Sequence, residues 1–264
     1  MNSKLSPLKL AIMLTIMAAL FAGCGDKAAK GPQSLGTETA SAKGSTVTTG
    51  AKGKVKAAAT DAQSITVLVN KEFALPDDYK PKDLVYPDVR FTFNEKIEKR
   101  MMRKEAAKAL EEMFAGAKKD KIYLAGVSAY RSHSTQTKLF NRYVKKDGEA
   151  KAKTYSAVPG HSEHETGLAI DVSGSDGKCA AESCFGDTKE ADWLAKHAPE
   201  YGFIIRYPEG KEAITGYKYE PWHLRYVGKE IAADINKRDI TLEEYYNAIP
   251  VSGQKGTGDS GKKK

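Results

Sequence analysis

The sequence predicts an α+β domain with a small antiparallel sheet flanked by helices. Short apolar, β-rich runs such as IYLAGVSAY (122–130) and GLAIDV (167–172) alternate irregularly with amphipathic helical segments. No regular βαβ order and no internal repeat is visible, which argues against a doubly wound sheet. At 264 residues with 41% hydrophobic content, the chain has room for one domain with its own core plus extensions.

The N-terminus differs in kind from the rest of the chain. Two lysines precede an uncharged run over residues 10–23 that is too short to span a bilayer comfortably and is typical of an export signal. The run ends in LFAGC, which resembles a bacterial lipobox, with Phe21 where leucine is usual. We therefore expect a lipoprotein signal peptide over residues 1–23 and lipidation of Cys24. A plain secretory signal and an uncleaved anchor are the alternatives.

Two segments have compositions that cannot offset the entropy of ordering. Residues 24–63 and 251–264 consist mainly of small, polar and lysine residues, so we expect a disordered tether and a disordered basic tail around a folded domain at 64–250. The net charge of +8 arises partly in these segments. No basic stripe interleaved with aromatic residues is present, so we expect no nucleic-acid partner.

The folded part begins with ITVLV (65–69), whose alternation predicts a strand, followed by a proline-punctuated segment that predicts an extended wrap. We place the N-cap of a long amphipathic helix at Asn94 and its end near Ala117, because its apolar residues recur at helical spacing. The remaining predicted elements are strands at 122–130, 167–172, 203–207 and 222–227 and helices at 134–146, 187–197, 228–236 and 241–247.

The cysteine count agrees with export. With Cys24 lipidated, Cys179 and Cys184 remain as a pair that closes the loop CAAESC, and a disulfide is the default outside the cytoplasm. The alternative, a zinc site begun by these two residues, lacks a second cysteine pair.

Three separated polar residues could form one metal site. A zinc hydrolase needs three protein ligands drawn from His, Asp and Glu plus an open position for water, and His164, Asp171 and His223 can supply them. An aspartate within the otherwise apolar run GLAIDV is costly unless it is paired or coordinated. His161 is the rival ligand, but its position fits a loop residue better. His133 and His197 have no metal partner at useful spacing.

Two further side chains suit the chemistry of a peptidase. Glu220, in the run EPWH, lies three residues before His223 and could accept a proton from an attacking water and pass it to the leaving amine. The alternative is a surface glutamate beside a core histidine. Arg131 emerges where the strand at 122–130 ends, and its planar donors could meet a terminal carboxylate or an oxyanion. The alternative is a surface arginine at a strand end.

Three blocks of sequence, in this order and at these separations, carry a family resemblance. SAYRSHSTQ (128–136), HSEHETGLAID (161–171) and EPWHLRYV (220–227) resemble the VanY-type D-alanyl-D-alanine carboxypeptidases. These belong to a wider group of zinc peptidases of peptidoglycan that includes LD-carboxypeptidases and D-Ala-D-Ala dipeptidases. The resemblance covers about residues 84–227.

The resemblance implies a role for each matching residue. It implies one Zn²⁺ held by His164, Asp171 and His223, with Glu220 as the catalytic base. The residues that it assigns to substrate are Arg131 for the charge, Gln136 and Ser162 for the terminal D-residue, and the neighbouring Ser132 and His133 on the same pocket. We expect this zinc site at the edge of the sheet.

The resulting expectation is a D,D-carboxypeptidase that removes the C-terminal D-alanine of peptidoglycan stem peptides by attack of a metal-activated water. No Ser-x-x-Lys motif lies near the site, so no covalent acyl-enzyme is expected. The alternatives are an L,D-carboxypeptidase acting on tetrapeptide stems and, from another class, a non-catalytic peptidoglycan-binding lipoprotein. We expect a monomer outside the cytoplasm, anchored to the membrane by lipid on Cys24.

Overall fold

The computed structural model of the chain describes residues 59–248 and shows the expected mixture of helices and antiparallel sheet. The strands are β1 (Leu84–Val85), β2 (Met102–Arg103), β3 (Leu124–Ser128), β4 (Ala169–Gly174), β5 (Phe203–Ile205) and β6 (His223–Tyr226). The α-helices are α1 (Lys104–Lys119), α2 (His133–Asp147), α3 (Glu149–Ala152), α4 (Lys189–His197), α5 (Glu212–Thr215), α6 (Lys229–Arg238) and α7 (Leu242–Tyr246). Short 3-10 helices lie at Glu98–Arg100, Glu163–Thr166, Ser183–Asp187 and Ala198–Tyr201.

The main sheet has four antiparallel strands in the order β3-β4-β6-β5, while β1 and β2 form a separate two-stranded ribbon. All six residues of β4 are buried, as are all four of β6. These two strands carry both apolar and ionisable side chains, so polar groups enter the centre of the domain on its best-protected strands. The predicted fold class is confirmed.

The core lies between the main sheet and the helices. One face of α1 is buried through its alanine, leucine and methionine residues, and it packs in the same apolar cluster as β4 and Leu194 of α4. A smaller cluster brings Ile204 and Val227 against Ile235 of α6 and Leu242 of α7. The amphipathic spacing of the sequence therefore leads to core packing on both sides of the sheet.

Two of the predicted elements differ in the structure. The run at 65–69 is buried from Val67 onward but is no strand, because the carbonyls of Ile65 and Val67 accept hydrogen bonds from the Arg225 guanidinium instead of from a neighbouring strand. The helix predicted from Asn94 begins only at Lys104.

The late start of α1 has a tertiary cause. Met102 and Arg103 pair with β1, and the backbone N–H groups of Arg103 and Lys104 donate to the carbonyls of Gly167 and Asp83. Ile97, one of the apolar residues within the predicted helix, is 45% exposed. Helical spacing alone could not reveal that distant segments would take these backbone groups.

The predictions for the N-terminal signal, the lipidation of Cys24, most of the tether and the C-terminal tail fall outside the described residues. Among residues 59–248, no helix is both long and apolar enough to cross a membrane. Ala59, at the first described position, is buried against the smaller apolar cluster.

Candidate metal centre and catalytic cleft

The register of the main sheet brings two candidate metal ligands together. Asp171 of β4 and His223 of β6 are direct cross-strand partners. We expected the site at the sheet edge, but these residues lie on the two central strands, at the end where β6 begins. Central strands are shielded on both sides by neighbouring strands, which gives a buried site its rigid base.

His164 arrives from the short 3-10 helix that precedes β4. Gly167 ends this helix in the left-handed conformation, with φ +68°, and turns the chain into the strand. A Cβ at this position would lie 2.9 Å from Leu84 Cδ2 and 3.1 Å from Arg103 Cγ, so glycine suits both the backbone and the packing. The tight turn places His164 beside Asp171.

The three candidate ligands form a compact buried group. His164 Nε2 lies 3.3 Å from Asp171 Oδ2, and His223 Nδ1 lies 2.9 Å from Asp171 Oδ1. One ligand atom from each residue lies within 4.8 Å of the others. The outer nitrogen of each imidazole has its own acceptor: His164 Nδ1 donates to the Ala129 carbonyl at 2.8 Å, and His223 Nε2 faces Glu163 Oε2 at 3.4 Å. Two imidazole nitrogens and a carboxylate therefore face one point, a donor set that suits Zn²⁺.

The electrostatics of this group favour a cation. Burial alone would raise the pKa of Asp171, but His164 and His223 outweigh it and hold that pKa far below its usual value. Burial alone would lower the pKa of His223, but hydrogen bonds to Asp171 and Glu163 raise it to about 10. The site thus holds positive charge strongly, and a metal ion can replace the proton on His223 Nδ1.

A buried charge network that the sequence did not reveal lies behind the metal centre. Glu163 Oε1 accepts hydrogen bonds from Arg206 Nε and Arg225 Nη1, both at 2.7 Å. Arg206 also donates to both carboxylate oxygens of Glu243, at 2.6 and 3.0 Å. The side chains of Glu163, Arg206 and Arg225 have no exposed surface. The sequence does contain a sign of this network, because Arg206 and Arg225 each follow or interrupt an apolar strand run, and a buried charge needs a partner.

This network keeps Glu163 ionised. Burial alone would raise the pKa of Glu163, but the charges of Arg206 and Arg225 outweigh it and hold the pKa well below its usual range. An ionised carboxylate is a pure acceptor, so it binds the outer N–H of His223. The inner nitrogen of that ring is then directed at Asp171.

Glu220 lies at the rim of the same group. Its Oε2 is 4.0 Å from His223 Nδ1, and its side chain is 22% exposed. Burial raises the pKa of Glu220 to about 7, in spite of the opposing charge of His223. A carboxylate with this pKa can both accept and return a proton near neutral pH.

Arg131 is held from behind by two polar side chains. Its Nη1 donates to Gln136 Oε1 at 2.8 Å and its Nη2 to Ser128 Oγ at 3.3 Å. Gln136 is fully buried and is fixed in turn by a hydrogen bond from Nε2 to the Ala157 carbonyl at 2.6 Å. The structure therefore places Gln136 as a support for Arg131.

A cleft of about 460 Å³ joins these groups. Among its lining residues are six of the predicted site residues, namely Arg131, Ser162, His164, Asp171, Glu220 and His223. The cleft is also lined by Ala181 and Ser183, which lie in the loop closed by the predicted disulfide, and Cys179 and Cys184 are indeed bonded. The disulfide loop is thus one wall of the cleft.

Two predicted substrate residues have other contacts. Ser132 caps α2 by accepting from the Thr135 N–H, and its hydroxyl donates to Glu98. His133 Nδ1 pairs with Glu165 Oε2 at 2.9 Å. Both line a separate surface depression. The motif placed them beside Arg131 in sequence, but the chain turns into α2 there and carries them to a different face.

The remaining histidines lie apart from the metal centre. His161 Nδ1 contacts the Asn70 carbonyl at 2.7 Å, and His197 Nδ1 pairs with Glu200 at 2.9 Å near the end of α4. His161, the alternative metal ligand, therefore contacts the backbone at Asn70 and not the metal centre.

Comparisons with known proteins agree on one family. Residues 99–229 match the sequence profile of the family described as VanY, D-alanyl-D-alanine carboxypeptidase. The chain is 53% identical over 187 residues to the Bacillus subtilis protein YodJ. The aligned region covers 71% of this chain and 68% of YodJ.

Solved structures show the same fold. The LdcB LD-carboxypeptidase is similar at a TM-score of 0.69 and 52% identity, covering 72% of this chain and 89% of that one. The chain is also similar to a variant of the vancomycin-resistance D,D-pentapeptidase VanY from a VanB-type cassette, solved with Zn(II). The TM-score is 0.54 at 32% identity, and the match covers 68% of this chain and 97% of that one.

We expect the chain to bind one Zn²⁺, with an affinity that falls about tenfold for each unit of pH lowered between pH 8 and 6, because a proton must leave His223. Calorimetric titration in buffers of different ionisation enthalpy measures both the affinity and the released proton. Asp171→Ala should lose measurable binding, and Asp176→Ala, which changes an exposed carboxylate in the turn after β4, should retain it. Equal affinities for the two variants would contradict this placement of the site.

We also expect Glu163→Gln to lower the free energy of unfolding by about 3–5 kcal/mol, because it leaves two buried guanidinium groups short of a countercharge. Urea unfolding followed by circular dichroism measures the loss. Glu200→Gln is the matched control, since Glu200 pairs with His197 at the surface, and it should change stability by less than about 1 kcal/mol. A loss in Glu163→Gln no larger than that of the control would show that the network contributes little.

Proposed function

The chain belongs to the VanY family of D-alanyl-D-alanine carboxypeptidases, and from this premise we propose that it releases the terminal D-alanine of peptidoglycan stem peptides. It is a zinc metallopeptidase. The alternative of a non-catalytic binding lipoprotein is therefore set aside. The observation that carries the proposal is the meeting of Glu220 and Arg131 with the buried His164–Asp171–His223 group on one cleft.

We assign the metal ligands to His164, Asp171 and His223, whose inner atoms face one another. Zn²⁺ bound there supplies a Lewis acid and lowers the pKa of a water. The Ala129 carbonyl and the Glu163 carboxylate hold the outer nitrogens of His164 and His223, which leaves the inner nitrogens and Asp171 for the metal. The ligand side chains are thus oriented before substrate arrives.

The protein's own acid–base group in this proposal is Glu220. Its carboxylate accepts a proton from the attacking water as the water oxygen bonds to the scissile carbonyl carbon. When the C–N bond breaks, Glu220 returns the proton to the amine of the departing D-alanine. Burial of this carboxyl group favours its protonated form, which helps Glu220 to accept the proton before it returns it.

Arg131 is the proposed anchor for the substrate's terminal carboxylate. Gln136 and Ser128 occupy donors at the back of its guanidinium and fix the plane of the fork. Ser162, which is buried in the same cleft, offers a hydroxyl to the terminal D-residue. Fixing the carboxylate fixes the distance from the scissile bond to Glu220, which is how such a site selects the last residue of a peptide.

The comparisons bear on which bond is cut. The sequence led us to expect a D,D-carboxypeptidase acting on pentapeptides, with L,D cleavage of tetrapeptides as the alternative. The higher identity to the LdcB LD-carboxypeptidase, 52% against 32% for the VanY D,D-pentapeptidase, favours the alternative. We therefore propose tetrapeptide stems as the preferred substrate and pentapeptide stems as the second candidate.

We further propose that the enzyme works outside the cytoplasm, because stem peptides lie there and the bonded pair Cys179–Cys184 suits an oxidising compartment. Cys24, outside the described residues, would carry the lipid anchor. Cys24→Ala should then move the protein from the membrane fraction to the soluble fraction in a cell fractionation. A protein that stays soluble with Cys24 intact would contradict the anchor.

Incubation of the zinc-loaded chain with tetrapeptide and pentapeptide stems should release D-alanine mainly from the tetrapeptide, as measured by mass spectrometry. Glu220→Gln should lower kcat by about a thousandfold while zinc content stays unchanged, because only the proton acceptor is lost. Glu209→Gln, at an exposed position, is the control and should keep full activity. Release from the pentapeptide alone would establish D,D specificity, and full turnover by Glu220→Gln would rule out this mechanism.

A further inference from the structure

The disulfide loop, residues 179–184, forms part of the cleft wall from small side chains at the surface. Ala181 and Ser183 line the cleft, and both are exposed, as is Glu182 between them. Such side chains bury little apolar surface, so packing contributes little to the shape of this wall. The backbone of the loop and the bond between Cys179 and Cys184 determine that shape instead.

Both ends of the loop are attached to the domain without the disulfide. Before the loop, Ser173 Oγ of β4 donates to the Lys178 carbonyl at 2.8 Å. After the loop, Phe185 is fully buried in the main apolar cluster, and a Cβ on Gly186 would lie 3.4 Å from Pro221 Cγ, so the backbone packs closely there. Loss of the disulfide would therefore release the residues between these attachments and leave β4, with its metal ligand, in place.

The loop holds two residues in a backbone conformation that they do not favour. Cys179 has φ +53° and Ala181 has φ +56°, in the left-handed region that favours glycine. Within the ring, the Glu182 N–H donates to the Cys179 carbonyl at 3.2 Å. The covalent bond to Cys184 adds a stronger restriction, because the loop can adopt only conformations that close the ring. Without it, we expect Cys179 and Ala181 to return to negative φ and the loop to leave its place in the wall.

A wall that is fixed in advance assists the binding of a peptide. Arg131 is the proposed contact of the terminal carboxylate, and the rest of the peptide then lies in the cleft that joins Arg131 to Glu220. A surface that is already in place when a ligand arrives loses less entropy on binding than a surface that the ligand must order. Ala181 and Ser183 belong to such a surface as long as the loop is closed.

We propose that the Cys179–Cys184 disulfide is a positioning element for the substrate, because it holds residues 180–183 as a rigid wall against which the stem peptide packs. This inference rests on the proposed function, since it needs a peptide in the cleft. The sulfur atoms take no part in the chemistry. Substrate affinity should therefore depend on the bond, whereas zinc binding and the proton transfers at Glu220 should not.

The test replaces both cysteines by serine, which removes the bond and leaves no free thiol beside the metal centre. Cys179→Ser/Cys184→Ser should raise KM for the preferred stem peptide about fivefold to tenfold, because the peptide must then order the wall. Its kcat and its zinc affinity should stay at the wild-type values, because other contacts hold Glu220 and the metal ligands.

Asp120→Ala is the matched control for a loss of stability. Asp120 accepts a hydrogen bond from the Trp193 indole N–H at 2.8 Å and lies outside the cleft. Its removal leaves that N–H without its acceptor and should lower the melting temperature. It should leave KM at the wild-type value, because the cleft wall is unchanged.

Limited proteolysis checks the loop itself. Glu182 is the one glutamate of the run CAAESC, so a glutamate-specific protease can cut the loop after it. Cleavage there, followed by mass spectrometry after reduction, should be about tenfold faster in the double variant than in the wild-type chain, because the opened loop reaches extended conformations more often.

Three results would overturn the proposal. An unchanged KM in the double variant would show that the wall does not contribute to binding, whether or not the loop is cut faster. A lower kcat with an unchanged KM, or a failure to fold, would show that the bond supports only the fold. A KM raised equally in Asp120→Ala would show that KM follows stability and not the wall.

Calorimetry separates this inference from the proposed function. Glu220→Gln removes turnover, so the Kd of the stem peptide can be measured directly on this variant. If it binds no stem peptide, the proposed function fails. If it binds the peptide and the two added cysteine exchanges leave the Kd unchanged, the proposed function stands and the positioning role of the disulfide is overturned.

Discussion

The domain depends on one buried carboxylate. Glu163 lies between the guanidinium groups of Arg206 and Arg225, with hydrogen bonds of 2.7 Å to each. Arg206 follows β5, Arg225 lies in β6, and Glu163 opens the 3-10 helix that carries His164. Because an uncompensated buried charge costs several kcal/mol, these three segments can move only together. The same carboxylate reaches His223 Nε2, so the network that closes the core also orients a metal ligand.

The arrangement of charge explains why a cation is held here. In the network, Glu163 and Glu243 balance Arg206 and Arg225, so the rear of the site is close to neutral. Asp171 lies in front of this network, between the imidazoles of His164 and His223, where it lines the cleft. The charges of the network cancel, whereas the carboxylate of Asp171 is not cancelled. The electrostatic potential therefore favours a cation most at the point where the three ligand atoms converge.

The sequence revealed Asp171 but missed the network behind it. An aspartate in an apolar strand is conspicuous, whereas Glu163 lies in a polar run that is typical of a surface loop. Glu163 is buried only because the strands bring Arg206 and Arg225 to it. The late start of α1 has the same origin, since residues far away in sequence take its backbone groups. Local patterns predicted the type of most elements, and non-local partners decided where some of them begin.

Motifs also could not tell which way side chains point. Ser132 and His133 adjoin Arg131 in sequence, yet Ser132 became the cap of α2 and Gln136, one turn into the helix, became the support of Arg131. Arg131 has five N–H groups, and Gln136 and Ser128 accept hydrogen bonds from only part of them. The other N–H groups can donate to a further acceptor. Donors held rigid by buried neighbours lose little entropy when an acceptor arrives. Gln136 and Ser128 thus hold Arg131 in place while part of its N–H groups stay available to an acceptor.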